Sequence, residues 1–350
     1  MKVHVLHENP DWYAPLGAAF DAAGVPHEQW LLGDGVLDLT RPPPDGVFWS
    51  RMSASSHTRG HPYAKDLTRP PPDGVFWSRV SASSHTRGHP YAKELARGVL
   101  CWLEAHGRVV VNGRRVLELE VSKVDQLTAL AAAGFDVPAT IAVAGRDGLA
   151  GAAARMPAPF ITKHNQGGKG LGVRLWSSHE ELAEYLAGPE YEAPVDGITL
   201  VQEYLRAAAP FITRAEFVGG EFRYALTADT ARGGFELCPA DACAVVPGSG
   251  GPGRPAPVPD PAAPSLFALR DGFDHPVIGR YREFAAAHGI GIAGFEFIET
   301  ADGRLVTYDV NTTTNYNAGV EAVAPRPALP AVARYLGGLL DQVRSANQAA

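Results

Sequence analysis

Cysteine is scarce in this chain: three residues in 350. That is too few for a disulfide framework, and it fits a reducing, cytoplasmic compartment. No apolar run approaches the ~18 residues that a membrane span needs. The first ten residues, MKVHVLHENP, carry a charge and two histidines, so they read as a β-strand rather than a signal peptide. Excess positive charge is missing as well. The formal net charge is −7 with no long basic run, which leaves no electrostatic footprint for nucleic acid. Neither a Ser-His-Asp nor a Cys-His arrangement can be placed, so a protein nucleophile is not expected. What remains is an ordinary globular composition, 45% apolar and 20% charged, long enough for two or three packed units.

A tandem duplication stands out. Residues 40–67 recur as residues 68–95, with only Met52 becoming Val80 and Asp66 becoming Glu94. Solenoid repeats diverge and need about three copies to bury a shared core, so two near-identical copies indicate a recent local duplication. Each copy holds one short strand, GVFWSR, and one polar turn, SASSHTRGHP. A single sheet position cannot hold both strands, and one copy is expected to be a surplus hairpin or loop. Around it, residues 1–115 alternate strand and helix as a small open parallel α/β sheet does. A second unit, 116–205, opens with a helix for which Ser122 and Asp125 form a capping pair and Gly134 a stop. A third, 206–340, begins with the hairpin FITRAEFVGGEFRYALTA, turned at Gly219–Gly220. A Pro/Gly-rich stretch from Pro247 to Pro264 reads as a surface loop. A helix, the hairpin GIAGFEFIETADGRLVTYDVN and a C-terminal helix from about Ala328 follow.

Two stretches carry chemistry. KHNQGGKGLG, from Lys163 to Gly172, follows the apolar run PAPFIT and concentrates glycines and lysines as a phosphate-holding loop does. It lacks the Gly-Lys-Ser/Thr ending of a Walker A loop and the G-x-G-x-x-G spacing of a dinucleotide turn. Taken alone, a glycine-rich hairpin turn between two strands stays open as the alternative. Far downstream, Glu296 lies on one strand of a hairpin, with Asp309 and Asn311 on the other. Antiparallel pairing brings Glu296 across from Asp309–Asn311, and the two-residue spacing puts Asp309 and Asn311 on one face. Val306, Tyr308 and Val310 alternate against this polar set. Two carboxylates and an amide oxygen form a hard-oxygen site suited to Mg²⁺.

Together these residues resemble a family. Lys123 opening a helix, Lys163 before the glycine loop, VQEYL, Arg214, then Glu296 with DVN look like the ATP-grasp superfamily. The likeness is to its glutathione-synthetase and RimK-type peptide-ligase branch, over roughly residues 115–315. The implied fold is α/β, an α+β grasp of two subdomains preceded by the small N-terminal sheet. By that resemblance, Lys123 and Lys163 contact the nucleotide phosphates. Gly167, Gly168, Lys169 and Gly170 belong to a loop that closes over those phosphates, with Lys169 an added cation or a solvent-facing residue. Gln202, Glu203, Tyr204 and Leu205 hold the adenine edge. Arg214 stabilises the transferred phosphoryl group. Glu296, Asp309 and Asn311 hold two Mg²⁺, with Mn²⁺ an acceptable substitute. The implied activity is ATP-dependent carboxylate–amine ligation through an acyl phosphate, with an ATP-grasp phosphotransferase and a non-catalytic ATP-binding module as alternatives. The implied partners are a small-molecule or peptide carboxylate and an amine; a homo-oligomer is compatible with this.

The chain also departs from the RimK-type pattern. Ile212 stands where those enzymes carry a ribose-binding Asp, Asp309 replaces a longer Glu, and Glu236 and Cys238 stand near the substrate in place of Arg and Asn. TTTNYN follows Asn311 where a Ser-Ser-Pro-Gly-like turn is usual. In each duplicated copy, HTRGH (His57/His61 and His85/His89) reads as a turn rather than a zinc helix. Arg59 or Arg87 there could receive a substrate carboxylate, or the loop could simply be solvated. Cys238 and Cys243 could pair for metal or redox chemistry, but without a second pair they read better as buried or cleft-lining thiols.

Overall fold

A computed structural model describes residues 1–7, 13–32, 47–50, 52–53, 75–80, 92–167, 172–233 and 265–349, the side chains of 31, 47–50, 52–53, 75–80, 233 and 349 excepted. The chain is a mixed α/β protein built on three sheets. The first is formed by β1 (Val3–His7), β2 (His27–Leu31), β3 (Val47–Ser50), β4 (Met52–Ser53), β5 (Val75–Val80) and β6 (Val109–Val111), all paired in parallel. Between them run α1 (Ala14–Ala22) and α2 (Ala92–Ala105). Gly24 sits at φ +65° just past α1, the left-handed position in which glycine ends a helix at little cost. The α2 helix buries Ala96, Val99, Leu100 and Leu103 on one face, as their spacing requires.

Both duplicated strands address the same place in this sheet. His4 of β1 registers with Phe48 and with Phe76, and Val111 of β6 registers with Trp49 and with Trp77. The other edge of β1 is taken by β2. Both copies thus form strands with the same partners on β1 and β6, and neither is set apart as the expected surplus hairpin or loop. The polar turns of both copies, with His57, His61, Arg59, His85, His89 and Arg87, lie outside the described residues.

A helical link, α3 (Arg114–Val121) and α4 (Lys123–Ala132), leads to the second sheet. Here the structure adds a break: Ser122, extended at ψ 112°, separates two helices. Its hydroxyl accepts the Asp125 N–H at 3.2 Å, the N-cap bond that the sequence foreshadows. The second sheet is antiparallel, in the order β7 (Thr140–Ala144), β10 (Ile198–Glu203), β8 (Phe160–His164), β9 (Arg174–Trp176). It is covered by α5 (Leu149–Ala153) and α6 (His179–Ala187), with a core of Val143, Phe160, Trp176, Leu182 and Val201.

The third sheet is antiparallel too: β13 (Phe267–Arg270), β12 (Glu221–Asp229), β11 (Phe211–Val218), β14 (Ile292–Glu299), β15 (Leu305–Asn311). The short α7 (Thr230–Gly233) follows β12, and α8 (Val277–His288) precedes β14. Phe217, Tyr281, Phe284, Phe295 and Phe297 pack together as the core between α8 and the sheet. Because Phe295 and Phe297 point inward, Glu296 between them must face the other way. The chain ends in α9 (Ala318–Val323) and α10 (Ala328–Ala349). Leu336 and Leu340 of α10 join Val3, Val5 and Phe20 of the first sheet and α1 in one core. The stretch from Pro247 to Pro264, with Glu236, Cys238 and Cys243, lies outside the described residues. Among those described, no helix is long and apolar enough to cross a membrane.

Candidate active site

The site-facing surface of the third sheet is written in two short patterns, Arg-Ala-Glu on β11 and Gly-Phe-Glu on β14. Their antiparallel register sets Arg214 opposite Glu296 and Glu216 opposite Gly294. On the next strand Asp309 pairs with Glu296 and Asn311 with Gly294. The two carboxylates and the amide expected from the sequence therefore share one sheet face. The expected alternation of Val306, Tyr308 and Val310 fails at Tyr308. The register shifts beside Glu296, and the bulge turns Tyr308 to the polar side, where its hydroxyl donates to Glu296 Oε2 at 2.8 Å. Thr307 takes the inward position instead and bonds Tyr281 at 2.7 Å. Re-aiming a side chain is what a β-bulge does next to a polar site.

Cations from three parts of the chain meet these carboxylates. Lys123, at the start of α4, forms an ion pair with Asp309. Arg214 Nη1 lies 3.3 Å from Glu296 Oε1. Lys163 reaches in from β8 and is buried. Burial, and then the charge of Lys123, pull the Lys163 pKa down to about 8 against the attraction of Asp309 and Glu296. Burial also pulls at Lys123, but Asp309 and Glu120 outweigh it and hold the ammonium above its ordinary pKa. Glu296 is pushed up, first by burial and next by the neighbouring Asp309 charge. Like charges this close disfavour joint ionisation unless cations compensate them.

Three buried groups that the sequence did not flag hold the site in shape. Glu120 of α3 accepts the Thr312 N–H at 2.7 Å and the Thr312 hydroxyl at 2.8 Å, and the Thr313 hydroxyl at 3.3 Å. Burial drives its pKa up to about 7, and the Asp309 charge adds to the rise. Glu216 accepts the Thr314 hydroxyl on both oxygens at 2.9 Å. The side chain of Asn165 accepts the Val124 N–H at 2.9 Å and donates to Asp196 at 2.7 Å, tying α4 to the second sheet. No regular spacing announces such carboxylates; the only signal was the row of hydroxyls in TTTNYN.

Other expected residues fall as follows. Gly167 is half-buried at the foot of the glycine loop, while Gly168, Lys169 and Gly170 lie outside the described residues. Gln166, just before it, accepts a hydrogen bond from the buried Lys93 of α2, which the sequence did not single out. Gln202 and Glu203 end β10 with their side chains engaged, on Thr140 at 2.7 Å and on the Ala139 N–H at 2.8 Å. Any ligand contact there falls to backbone groups and to the half-buried Tyr204 and Leu205. Ile212 is buried in β11. The Asn311 side-chain oxygen accepts the Thr313 N–H at 2.9 Å. Among the described residues no three His, Cys, Asp or Glu side chains gather as a closed metal cage. Two carboxylates and an amide suit Mg²⁺ nonetheless, since that ion keeps waters and phosphate oxygens in its shell.

The sequence matches no protein-family model and no curated protein. Solved structures do match. The RimK-domain ATP-grasp protein from Sphaerobacter thermophilus superposes with a TM-score of 0.61 at 15% identity, over 96% of this chain and 99% of its own. The D-cycloserine synthetase DcsG gives 0.57 at 17% identity, over 97% and 99%. The ATP-grasp ligase PsnB, complexed with a precursor variant, Mg and ADP, gives 0.56 at 17% identity, over 97% and 99%. The chain thus has the ATP-grasp fold.

Proposed function

We propose that this ATP-grasp chain is an ATP-dependent carboxylate–amine ligase, with residues 1–115 as a leading domain and 116–205 and 206–340 as the two halves that grip the nucleotide. One observation carries the reading: Lys123, Lys163 and Arg214, from separate parts of the chain, converge on the paired carboxylates Glu296 and Asp309. ATP would phosphorylate a substrate carboxylate, giving an acyl phosphate and ADP. An amine would then attack the acyl carbon and expel phosphate, leaving an amide bond.

In this reading Lys123 and Lys163 bind phosphate oxygens, and Arg214 meets the transferred phosphoryl group with its planar fork of N–H donors. Glu296, Asp309 and Asn311 would hold Mg²⁺, which supplies charge neutralisation at the phosphates. Tyr308 keeps Glu296 oriented, and the closed, water-poor setting strengthens each of these interactions. DcsG and PsnB act as a synthetase and a ligase, and PsnB is solved with a precursor peptide, so small acids and peptides are the substrate classes to examine first.

The test is a screen of pooled carboxylates and amines with ATP and Mg²⁺, reading ADP and phosphate separately. Coupled release of both only when an amine is present supports the ligase. ADP without phosphate indicates a phosphotransferase, and nucleotide binding without turnover of any pool indicates a binding module.

A further inference from the structure

The guanidinium of Arg214 lies in a berth built by residues on three separate segments. The side chain is 3% exposed and runs across the neighbouring strand directly over Gly294. A Cβ at Gly294 would stand 2.3 Å from Arg214 Nε and 2.9 Å from Cζ, closer than any real contact. Gly294 has no left-handed backbone angle, so the chain conformation does not call for glycine there. The passage of Arg214 does. Beside it Glu216, fully buried, places Oε1 2.7 Å from Nε. At the far end Nη2 donates to the Thr314 hydroxyl, which itself bonds both Glu216 oxygens. Nη1 donates to Glu296.

A guanidinium has five N–H donors in a fixed plane. Nη1 and Nη2 each donate one hydrogen in the contacts above, while Nε meets Glu216 as an ion pair without a hydrogen bond, which leaves one further hydrogen on each terminal nitrogen. Such a pair matches two oxygens of a phosphoryl group. A buried ion pair contributes little net stability against apolar substitutes, and Arg214–Glu216 is a costly way to fill a sheet face. Fixing an orientation explains it better.

We infer that Gly294, Glu216 and Thr314 are positioning residues that fix the plane of the Arg214 guanidinium toward the transferred phosphoryl group. This rests on the ligase reading only in placing that group beside Arg214. Sequence alone hides the berth, because the R-x-E and G-x-E patterns acquire meaning only once the two strands are registered.

Isothermal titration with ADP and with AMPPNP, both with Mg²⁺, tests it in the full chain, since Arg214 is expected to meet only the terminal phosphate. Arg214→Met sets the reference by abolishing the preference for AMPPNP. Gly294→Ala and Thr314→Val are expected to weaken AMPPNP about tenfold, the scale of one charge-assisted hydrogen bond, with ADP affinity held within about twofold. Thr314→Ser should restore the wild-type preference, which a loss of packing would not allow. Thermal melts identify variants that fail to fold, and the Thr314 pair stands if Gly294→Ala is lost. Equal weakening of both nucleotides, or an unchanged preference in Gly294→Ala and Thr314→Val while Arg214→Met loses it, overturns the berth and leaves nucleotide binding intact. A wild-type chain that binds neither nucleotide overturns the ligase reading itself.

Discussion

Lys163 offers the most quantitative handle on the site. Its pKa falls from 10.5 to about 8 because burial and the charge of Lys123 oppose protonation. Phosphate oxygens arriving beside it reverse that balance, so nucleotide binding near pH 8 must draw a proton from solution. With a pKa of about 8, roughly a tenth of Lys163 is neutral at pH 7, about half at pH 8 and about nine-tenths at pH 9. Return to the ordinary lysine range on binding makes uptake follow those fractions. Titration calorimetry of ADP with Mg²⁺ in buffers of different ionisation enthalpy reads the number directly, and Lys163→Met should remove this component. The same shift bears on stability. Between pH 8 and 10.5 the unfolded chain holds more protons than the folded one, so stability rises with pH through that window. Below it the charged side chain costs about 3 kcal/mol, and Lys163→Met should melt higher at pH 7. Uptake that stays flat from pH 7 to 9, or survives in Lys163→Met, refutes the placement of Lys163 against the phosphates.

Glu296→Gln and Asp309→Asn should each cut Mg²⁺-dependent ADP formation by about a hundredfold or more with an unchanged circular dichroism spectrum; full activity in either removes them from the metal site. Glu120→Ala orphans the buried Thr312 N–H and should destabilise the chain by about 2 kcal/mol in denaturant titrations. Glu120→Gln keeps an acceptor and should lose less. Because the Glu120 pKa is raised to about 7, its ionisation costs stability as pH rises from about 4.5 to 7, and the Gln variant should flatten that slope. Deleting residues 40–67 should leave a folded chain that still binds nucleotide, since one complete copy remains to pair with β1 and β6. Loss of the melting transition would show that both copies are needed.

Much of the architecture could be read from residue patterns. Apolar periodicity placed β1, α1, α2 and the hairpin of β14 and β15, and Ser122 marked a helix start that the structure caps as expected. The paired carboxylates were legible because strand alternation fixes which side chains share a face. That rule broke at Tyr308, where a bulge inserts a residue that no periodicity can announce. Glu120 and Glu216 were hidden for a different reason. Each earns its place through partners distant in sequence, Thr312 for one and Thr314 with Arg214 for the other, and a lone Glu in an apolar stretch looks like any solvent-facing residue. Lys93 was overlooked too, being the copy of Lys65 in a duplicated segment.

The charges in this site are arranged to change partners. Lys123 pairs with Asp309 and Arg214 with Glu296, so two of the three groups that would hold phosphate currently neutralise a group that would hold metal. Mg²⁺ entering alone must pull a carboxylate from its cation, which takes from Lys123 its ion-pair partner in a buried setting, while Arg214 keeps Glu216 at 2.7 Å. Nucleotide entering alone strands the carboxylates instead. Only joint entry gives every charge an opposite, with the carboxylates on metal and the cations on phosphate. Coupling of this kind is reciprocal, and its size is set by how poorly the half-filled site solvates the charge left over. Residues that shield the cluster without touching either ligand, Tyr308 and Glu216 among them, therefore help to make metal and nucleotide bind as one.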